Sequence, residues 1–201
     1  MNQLSKALNR NRIGLEYFES PESLLDYLKE LFSSDSTIGV GDSKTLEKLG
    51  IYDLLRNSNC HFLDKYRPDI TKEEKAKLYR DNFSADIFLS GINAITLEGR
   101  ILNLDGNGSR VAPIIFGPDK VFLITGTNKI VANDEEAIKR IKEIAAPLDA
   151  KRLAKKTPCV KTGTCRDCKS SDKICNYYSI IQGQFDSQRI KVLLVEGEYG
   201  F

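Results

Sequence analysis

Histidine, long apolar runs and excess charge are scarce in this sequence, and each scarcity argues against a class of protein. His61 is the only histidine among 201 residues, and it falls in a strand pattern, where a lone histidine is more often structural than catalytic. Apolar runs are only a few residues long and the N-terminus lacks an apolar core, so neither a membrane span nor a signal peptide is predicted. A net charge of +2, with basic residues interspersed among acids, does not predict nucleic-acid binding. We therefore expect a cytoplasmic protein with neither a membrane nor a nucleic-acid partner.

The remaining patterns predict one domain over residues 1–201, of the α/β class. Short apolar runs alternate with helical segments, which is typical of a mainly parallel sheet flanked by helices. Helices are predicted over residues 2–18, after Ser20, after Thr71 in a capping box with Glu74, and after Asn133, the last of them ending at Pro147. The predicted strands lie at residues 37–40, 60–63, 87–89, 121–124 and 189–195.

Two glycine-containing loops follow predicted strands. The first is Gly41-Asp42-Ser43-Lys44-Thr45, a strand–turn–helix arrangement of the kind that receives phosphates and carboxylates. It lacks the spacing of a P-loop, and by itself it is most simply a tight turn capped by Asp42 or Ser43.

The second loop follows a predicted hairpin, residues 94–97 and 101–104, which turns at Glu98-Gly99. It reads Asp105-Gly106-Asn107-Gly108-Ser109-Arg110, where the glycines allow close approach to a ligand and Ser109 is predicted to cap a helix that starts near Arg110. Because the carboxyl ends of parallel strands share one edge of a sheet, we expect both loops there, forming an anion site.

Four of the five cysteines are clustered between residues 151 and 180. Cys159, Cys165, Cys168 and Cys175 have the spacing C-x5-C-x2-C-x6-C, and clustered thiols in a reducing compartment indicate metal or redox chemistry more often than disulfides. The spacing fits a [4Fe-4S] cluster somewhat better than zinc, which remains the alternative, as do free thiols. Cys60 stands apart and is predicted to be a core residue.

Three segments together resemble the LUD (lactate utilisation) domain family, in its single-domain branch with a cysteine tail. They are GVGDSKTL, SGINAITLEGRILNLDGNGSRVAPIIFGPDKVFLITGTNKIV and PCVKTGTCRDCKSSDKICN. The resemblance implies a fold of the NagB/RpiA/CoA-transferase-like superfamily, related to 5-formyltetrahydrofolate cyclo-ligase. It also implies that residues 39–45 receive a phosphate or carboxylate, with Glu98-Gly99 and residues 105–108 across the same cleft.

The resemblance leaves three functions open. Family members encoded with lactate operons take part in oxidising L-lactate to pyruvate beside iron–sulfur partner proteins, which implies a redox role. The CoA-transferase branch uses a glutamate nucleophile, so a transferase or ligase-type enzyme with structural zinc is the second reading. A non-enzymatic sensor or assembly subunit is the third reading. The resemblance also leaves open whether the protein forms a homodimer.

The predicted site follows from these patterns. Glu98 and Asp105 are the candidate catalytic proton carriers. The predicted metal ligands are Cys159, Cys165, Cys168 and Cys175. The predicted ligand-binding residues are Gly39, Gly41, Asp42, Ser43, Thr45, Asn93, Gly106, Asn107, Gly108 and Arg110.

Overall fold

The structure is a computed structural model that describes residues 2–201. Two sheets organise the fold, with helices on both faces of the larger one. The helices are α1 (Asn2–Arg10), α2 (Pro21–Leu31), α3 (Lys44–Lys48), α4 (Ile51–Arg56), α5 (Lys72–Asp81), α6 (Val111–Ile115), α7 (Asp134–Arg140), α8 (Ala146–Arg152) and α9 (Pro158–Thr162). The strands are β1 (Gly14–Phe18), β2 (Thr37–Val40), β3 (His61–Phe62), β4 (Ile87–Gly91), β5 (Ala94–Thr96), β6 (Ile101–Asp105), β7 (Lys120–Gly126), β8 (Ile130–Val131), β9 (Tyr177–Ile181) and β10 (Ile190–Val195).

The larger sheet has the strand order β1-β10-β7-β4-β2-β3, and every pair in it is parallel. Its central strands are buried on both faces, as their continuous Val, Ile, Leu and Phe runs predict. Helices α2, α3 and α4 pack on one face, around a core that includes Leu24, Leu28 and Leu46. Helix α1 and strands β5 and β6 cover the other face. The predicted α/β class with a mainly parallel sheet and flanking helices is confirmed.

The smaller sheet, β8-β5-β6-β9, contains the predicted hairpin. Strands β5 and β6 pair antiparallel, with Ala94 opposite Leu102. The cysteine-rich tail then contributes β9, which pairs antiparallel with β6 and places Tyr177 opposite Asp105. The tail is therefore joined to the strand that carries the second glycine loop.

The helix predicted over residues 2–18 is wrong in its second half. Helix α1 ends at Arg10, and Arg12 adopts a left-handed conformation with φ of 57°. The chain then enters β1, whose residues pair with β10 from Gly14 to Phe18. The apolar spacing fitted a helix, but a hydrogen-bonding edge on β10 was available to an aromatic-rich segment, and tertiary pairing overrode the local pattern.

Pro147 does not end the helix that Asn133 caps. Residues Ile141–Ala145 form a π-helix, and the helix then continues as α8. The amide of Ala146 donates to Ile141 O, and Pro147 has no N–H to offer to the next carbonyl. That carbonyl, on Lys142, accepts instead from the amide of Cys165 at 2.8 Å. The π-helix thereby anchors the cysteine tail.

Candidate functional site

The two predicted loops meet at the carboxyl-terminal edge of the large sheet. A cleft of about 350 Å³, here called the outer cleft, is bounded by Asp42 from the first loop and by Asp105, Asn107 and Arg110 from the second. The cysteine-rich tail forms the third side of the outer cleft, with Leu153, Lys155, Lys173 and Ile174.

The Arg110 side chain holds the second loop in place. It is only 11% exposed, and its Nε lies 3.3 Å from Asp105 Oδ2. A guanidinium has five N–H donors; here the four on Nη1 and Nη2 donate to protein oxygens and Nε forms the ion pair with Asp105, so Arg110 mainly offers a ligand its charge. Besides Asp105, the acceptors are Gly91 O (3.1 Å), Asn103 Oδ1 (2.9 Å), Asn93 Oδ1 (3.0 Å) and Leu104 O (2.9 Å).

Asp105 shapes the loop and also joins it to the tail. Its Oδ1 accepts from the amides of Asn107 at 3.2 Å and Gly108 at 2.8 Å, and Gly108 takes the positive φ of 83° that the turn requires. Its carbonyl accepts from the amide of Asn176 at 3.0 Å. The buried carboxylate is thus held at the cleft wall by backbone amides and one arginine.

Ser109 does not cap helix α6 as predicted. Arg110 occupies the N-cap position, and no side chain caps that helix. The reason is that the Asp105 and Asn107 side chains already bond the loop amides, with Ser109 N donating to Asn107 Oδ1 at 3.1 Å. A turn built by acceptor side chains has replaced a serine cap.

Gly41 and Gly91 are glycines because side chains approach their backbone closely. A Cβ on Gly41 would lie 2.7 Å from Ser90 Oγ and 2.8 Å from Arg110 Cγ, and one on Gly91 would collide with Ser43 Oγ. The missing Cβ atoms let the two loops touch. Both glycines therefore have a steric role in assembling the site.

Asp42 lies where a network of phenol and guanidinium groups converges. It accepts from Tyr66 Oη and from Arg152 Nη2, both at 2.9 Å. Burial acts to raise the pKa of Asp42, but the hydrogen bond and charge of Arg152, aided by Lys65 and Tyr66, hold it below its ordinary value. Asp42 therefore stays ionised and already paired at the mouth of the cleft.

A second, smaller cavity lies behind Asp42 and Arg110, which line both spaces. This inner cavity, about 50 Å³, is also bordered by Ser43, Thr45 and Lys129. Asn93 lies in its wall too. Three residues predicted to bind a ligand therefore reach the inner cavity and not the outer cleft.

Lys129, which sequence reasoning missed, is buried in this wall with 2% exposure. It donates to Thr45 Oγ1 at 2.8 Å and Ile92 O at 2.9 Å. Burial, with smaller contributions from Arg140 and Arg110, lowers its pKa to about 7. Within residues 2–201 it forms no ion pair with an acid. Its position, five residues after the end of the strand predicted at 121–124, was the only sequence signal.

Lys65 is a second buried lysine, at 3% exposure, but it lines neither space. It donates to Val40 O at 3.1 Å and lies over the rings of Tyr66 and Tyr79. Burial lowers its pKa to about 8. Its role is to support the first loop from below.

Two of the predicted catalytic and ligand-binding residues lie outside both loops and both spaces. Glu98 is at the hairpin turn, where Gly99 packs on α1, and its carboxylate is 55% exposed and 3.5 Å from Arg100. Gly39 lies within β2, where the Asn82 side chain occupies the space of a Cβ. Neither lines the outer cleft or the inner cavity, so the structure does not bring Glu98 together with Asp105. His61 is exposed on β3.

The tail cysteines lie beside the outer cleft. Cys165, Cys168 and Cys175 line a cavity of about 390 Å³, the cysteine cavity, while Cys159 borders a neighbouring one across the π-helix. Burial raises the pKa of the Cys175 thiol, and the nearby Cys165 raises it further, while Lys173 acts to lower it. Cys60, by contrast, packs against the core of the large sheet.

The four cysteine thiols are of the chemical type that binds a metal as thiolates. Four thiols occur within a short segment, and Cys165 Sγ accepts from the amide of Asp167 at 3.4 Å, as metal-bound sulfurs commonly do. Within residues 2–201, however, no three candidate side chains already converge closely enough to hold an ion. In the same part of the chain, no helix combines the length and apolarity needed to cross a bilayer.

These features define an α/β protein with a polar site at the strand-end edge of a parallel sheet and a cysteine-lined cavity next to it. The family model of the LUD domain matches residues 1–195. The chain belongs to the LUD domain family.

The solved structures to which this chain is similar include a DUF162 family protein from Deinococcus radiodurans, at 12% identity and a TM-score of 0.49, covering 98% of this chain and 95% of that one. Ribose 5-phosphate isomerase A from Neisseria gonorrhoeae matches at 15% identity, with a TM-score of 0.36 over 55% of this chain and 52% of that one. Ribose 5-phosphate isomerase from Plasmodium falciparum matches at 18% identity, with a TM-score of 0.35 over 56% and 52%. The comparison with curated proteins gave no match.

Proposed function

We propose that this LUD domain protein binds a small carboxylate or phosphorylated metabolite in the outer cleft. We further propose that its tail thiolates hold a metal centre beside that metabolite, in support of lactate-type redox metabolism. An iron–sulfur cluster is the favoured centre, because one-electron transfer is what such a cluster supplies and the chain has no dinucleotide fingerprint.

One observation carries the proposal. The outer cleft and the cysteine cavity share two wall residues, Leu104 and Lys173. A metabolite in the cleft would therefore be separated from the thiols by a wall one side chain thick. A metal ion that only stabilised the tail would not need to lie beside the cleft at the strand ends.

Lys173 is the cation best placed to hold an anionic ligand. Asp42 and Asp105 are paired with arginines, and Lys155 is paired with Asp172 at 3.1 Å. Lys173 faces the cleft and, within residues 2–201, forms no ion pair. A free ammonium in a partly enclosed space attracts a carboxylate or phosphate more strongly than one that is already neutralised.

The chain's own groups would then orient the ligand and move a proton. Asn107 and Ser109 border the cleft and provide short polar side chains. Asp105 is the one carboxylate of the second loop within the wall, so it is the candidate proton carrier, while Arg110 fixes its position. Glu98 lies too far along the hairpin to share this task.

The first test is anaerobic purification followed by a visible absorption spectrum and assays for iron, sulfide and zinc. Iron and sulfide in cluster proportion, with a broad absorption that bleaches on reduction, support the redox proposal. One zinc per chain would instead favour the transferase or ligase reading with a structural clasp. Protein without metal would overturn the metal part.

The anion site is tested separately by calorimetric titration with L-lactate and with inorganic phosphate. Lys173→Ala should weaken binding of whichever anion binds, because the unpaired charge is lost. Lys169→Ala is the matched control, since it makes the same charge change on an exposed tail residue that borders neither space. Equal binding by both variants would contradict the cleft assignment.

A further inference from the structure

The inner cavity contains a nucleophile that anion binding in the outer cleft does not use. Lys129 extends from the turn after β7 across to Thr45 at the start of α3. Its two hydrogen bonds end on Thr45 Oγ1 and Ile92 O. A neutral amine has two N–H groups and one lone pair, so the lone pair remains unengaged, and the side chain borders the cavity.

We propose that Lys129 forms an imine with a small 2-oxo acid that reaches the inner cavity from the outer cleft. The inference rests on the proposed anion site for its substrate class, but not on the metal centre. It adds a covalent activity to that site.

The surroundings favour a neutral amine. Burial is the main cause, and the charges of Arg140 on α7 and Arg110 in the second loop add to it, so the pKa of Lys129 falls to about 7. Asp42 and Asp149 also border the cavity, but both are paired with Arg152. Lysines that form imines are activated in this way, by desolvation and neighbouring cations.

Neighbouring charges also select the substrate. Imine formation requires a carbonyl carbon, and the charge of Lys173 in the outer cleft, unpaired within residues 2–201, together with that of Arg110, favours a substrate that carries a carboxylate. A cavity of about 50 Å³ has room for the reacting carbon and little more. The carboxylate of a short 2-oxo acid would lie toward Arg110 and the outer cleft, which Arg110 also lines.

The reaction is balanced without any redox partner. The Lys129 lone pair attacks the carbonyl carbon, the carbonyl π electrons move to oxygen, and a proton passes from nitrogen to that oxygen. The resulting carbinolamine loses water to give the C=N bond. The hydroxyl leaves with the remaining proton of the nitrogen as water, so the step balances within the carbinolamine itself.

The test is reductive trapping on the full chain with pyruvate and cyanoborohydride, followed by intact mass measurement and peptide mapping. We expect a single adduct per chain, located at Lys129, and its loss in Lys129→Met. Lys139→Met is the control: that lysine is exposed on α7 and borders neither space, so the adduct should persist. Adducts spread over exposed lysines, or undiminished labelling of Lys129→Met, would overturn the inference.

Peptide mapping of the wild-type chain gives an answer even where a variant folds poorly. L-lactate, which lacks the carbonyl, separates the two proposals. If it binds but pyruvate does not label Lys129, the imine is refuted and the anion site stands. If no anion binds and no label appears, both are refuted.

Discussion

Replacing Lys129 with methionine should make the protein more stable, and more so at low pH than at high pH. The lysine has 2% exposure and no acidic partner within residues 2–201, so folding must desolvate its charge. Methionine has a similar length and no charge, and its unbranched chain adapts to an existing space. The substitution removes a penalty while keeping most of the packing.

The size of the effect follows from linkage. The pKa falls from its usual 10.5 to about 7 in the folded chain, so between these values the unfolded chain binds more protons and the free energy of unfolding rises with pH. The penalty in the wild type is complete below the folded pKa and disappears above the unfolded one. It amounts to about 5 kcal/mol at low pH, and it changes by about 3 kcal/mol between about pH 6 and about pH 9.

Urea denaturation of both proteins across that pH range, under reducing conditions, measures the difference. The stability gained by Lys129→Met over wild type should shrink by about 3 kcal/mol as the pH rises. Lys139→Met, on an exposed position of α7, is the control, because it removes the same charge without removing a buried amine. A pH-independent difference for Lys129→Met would mean that the buried amine carries its charge without penalty, which refutes the reasoning.

Three further substitutions test how the site is assembled. Gly41→Ala places a methyl group against the Arg110 side chain and should lower the free energy of unfolding in urea by about 1–3 kcal/mol; an unchanged midpoint would contradict the close approach. Asp105→Ala should abolish ligand binding in calorimetry while leaving the circular dichroism spectrum intact, and binding equal to wild type would place the cleft elsewhere. Pro147→Ala supplies an amide to the helix carbonyl now bonded to Cys165, so hydrogen exchange at the Cys165 amide should accelerate; unchanged protection would argue against this anchor.

Sequence patterns predicted the structure correctly where an element depends on interactions between residues close together in the chain. The capping box at Thr71, the cap at Asn133 and the hairpin that turns at Gly99 all form as predicted, because each depends on residues three or four positions apart. The parallel sheet was predictable for a related reason: strands such as Ile87–Gly91 are apolar on both faces, and only a sheet covered by helices buries both.

In two places the prediction from local patterns was wrong because contacts between distant segments decided the structure. Residues 14–18 have helical spacing but form β1, because β10 offers an unpaired edge and Phe18 a place in the core. Pro147, read as a helix end, lies within a continuing helix because a π-helix absorbs the missing amide and Cys165 satisfies the carbonyl left over.

By itself, the sequence determined the α/β class, the two glycine loops and the presence of four clustered thiols. These depend on composition, periodicity and turn chemistry, which are properties of neighbouring residues. Only the tertiary structure decided that the loops touch through Gly41 and Gly91, that Glu98 lies apart from them, and that Lys129 is buried between them. Distances between segments far apart in the chain, and the desolvation that lowers the pKa of a buried lysine, exist only once the sheet has assembled.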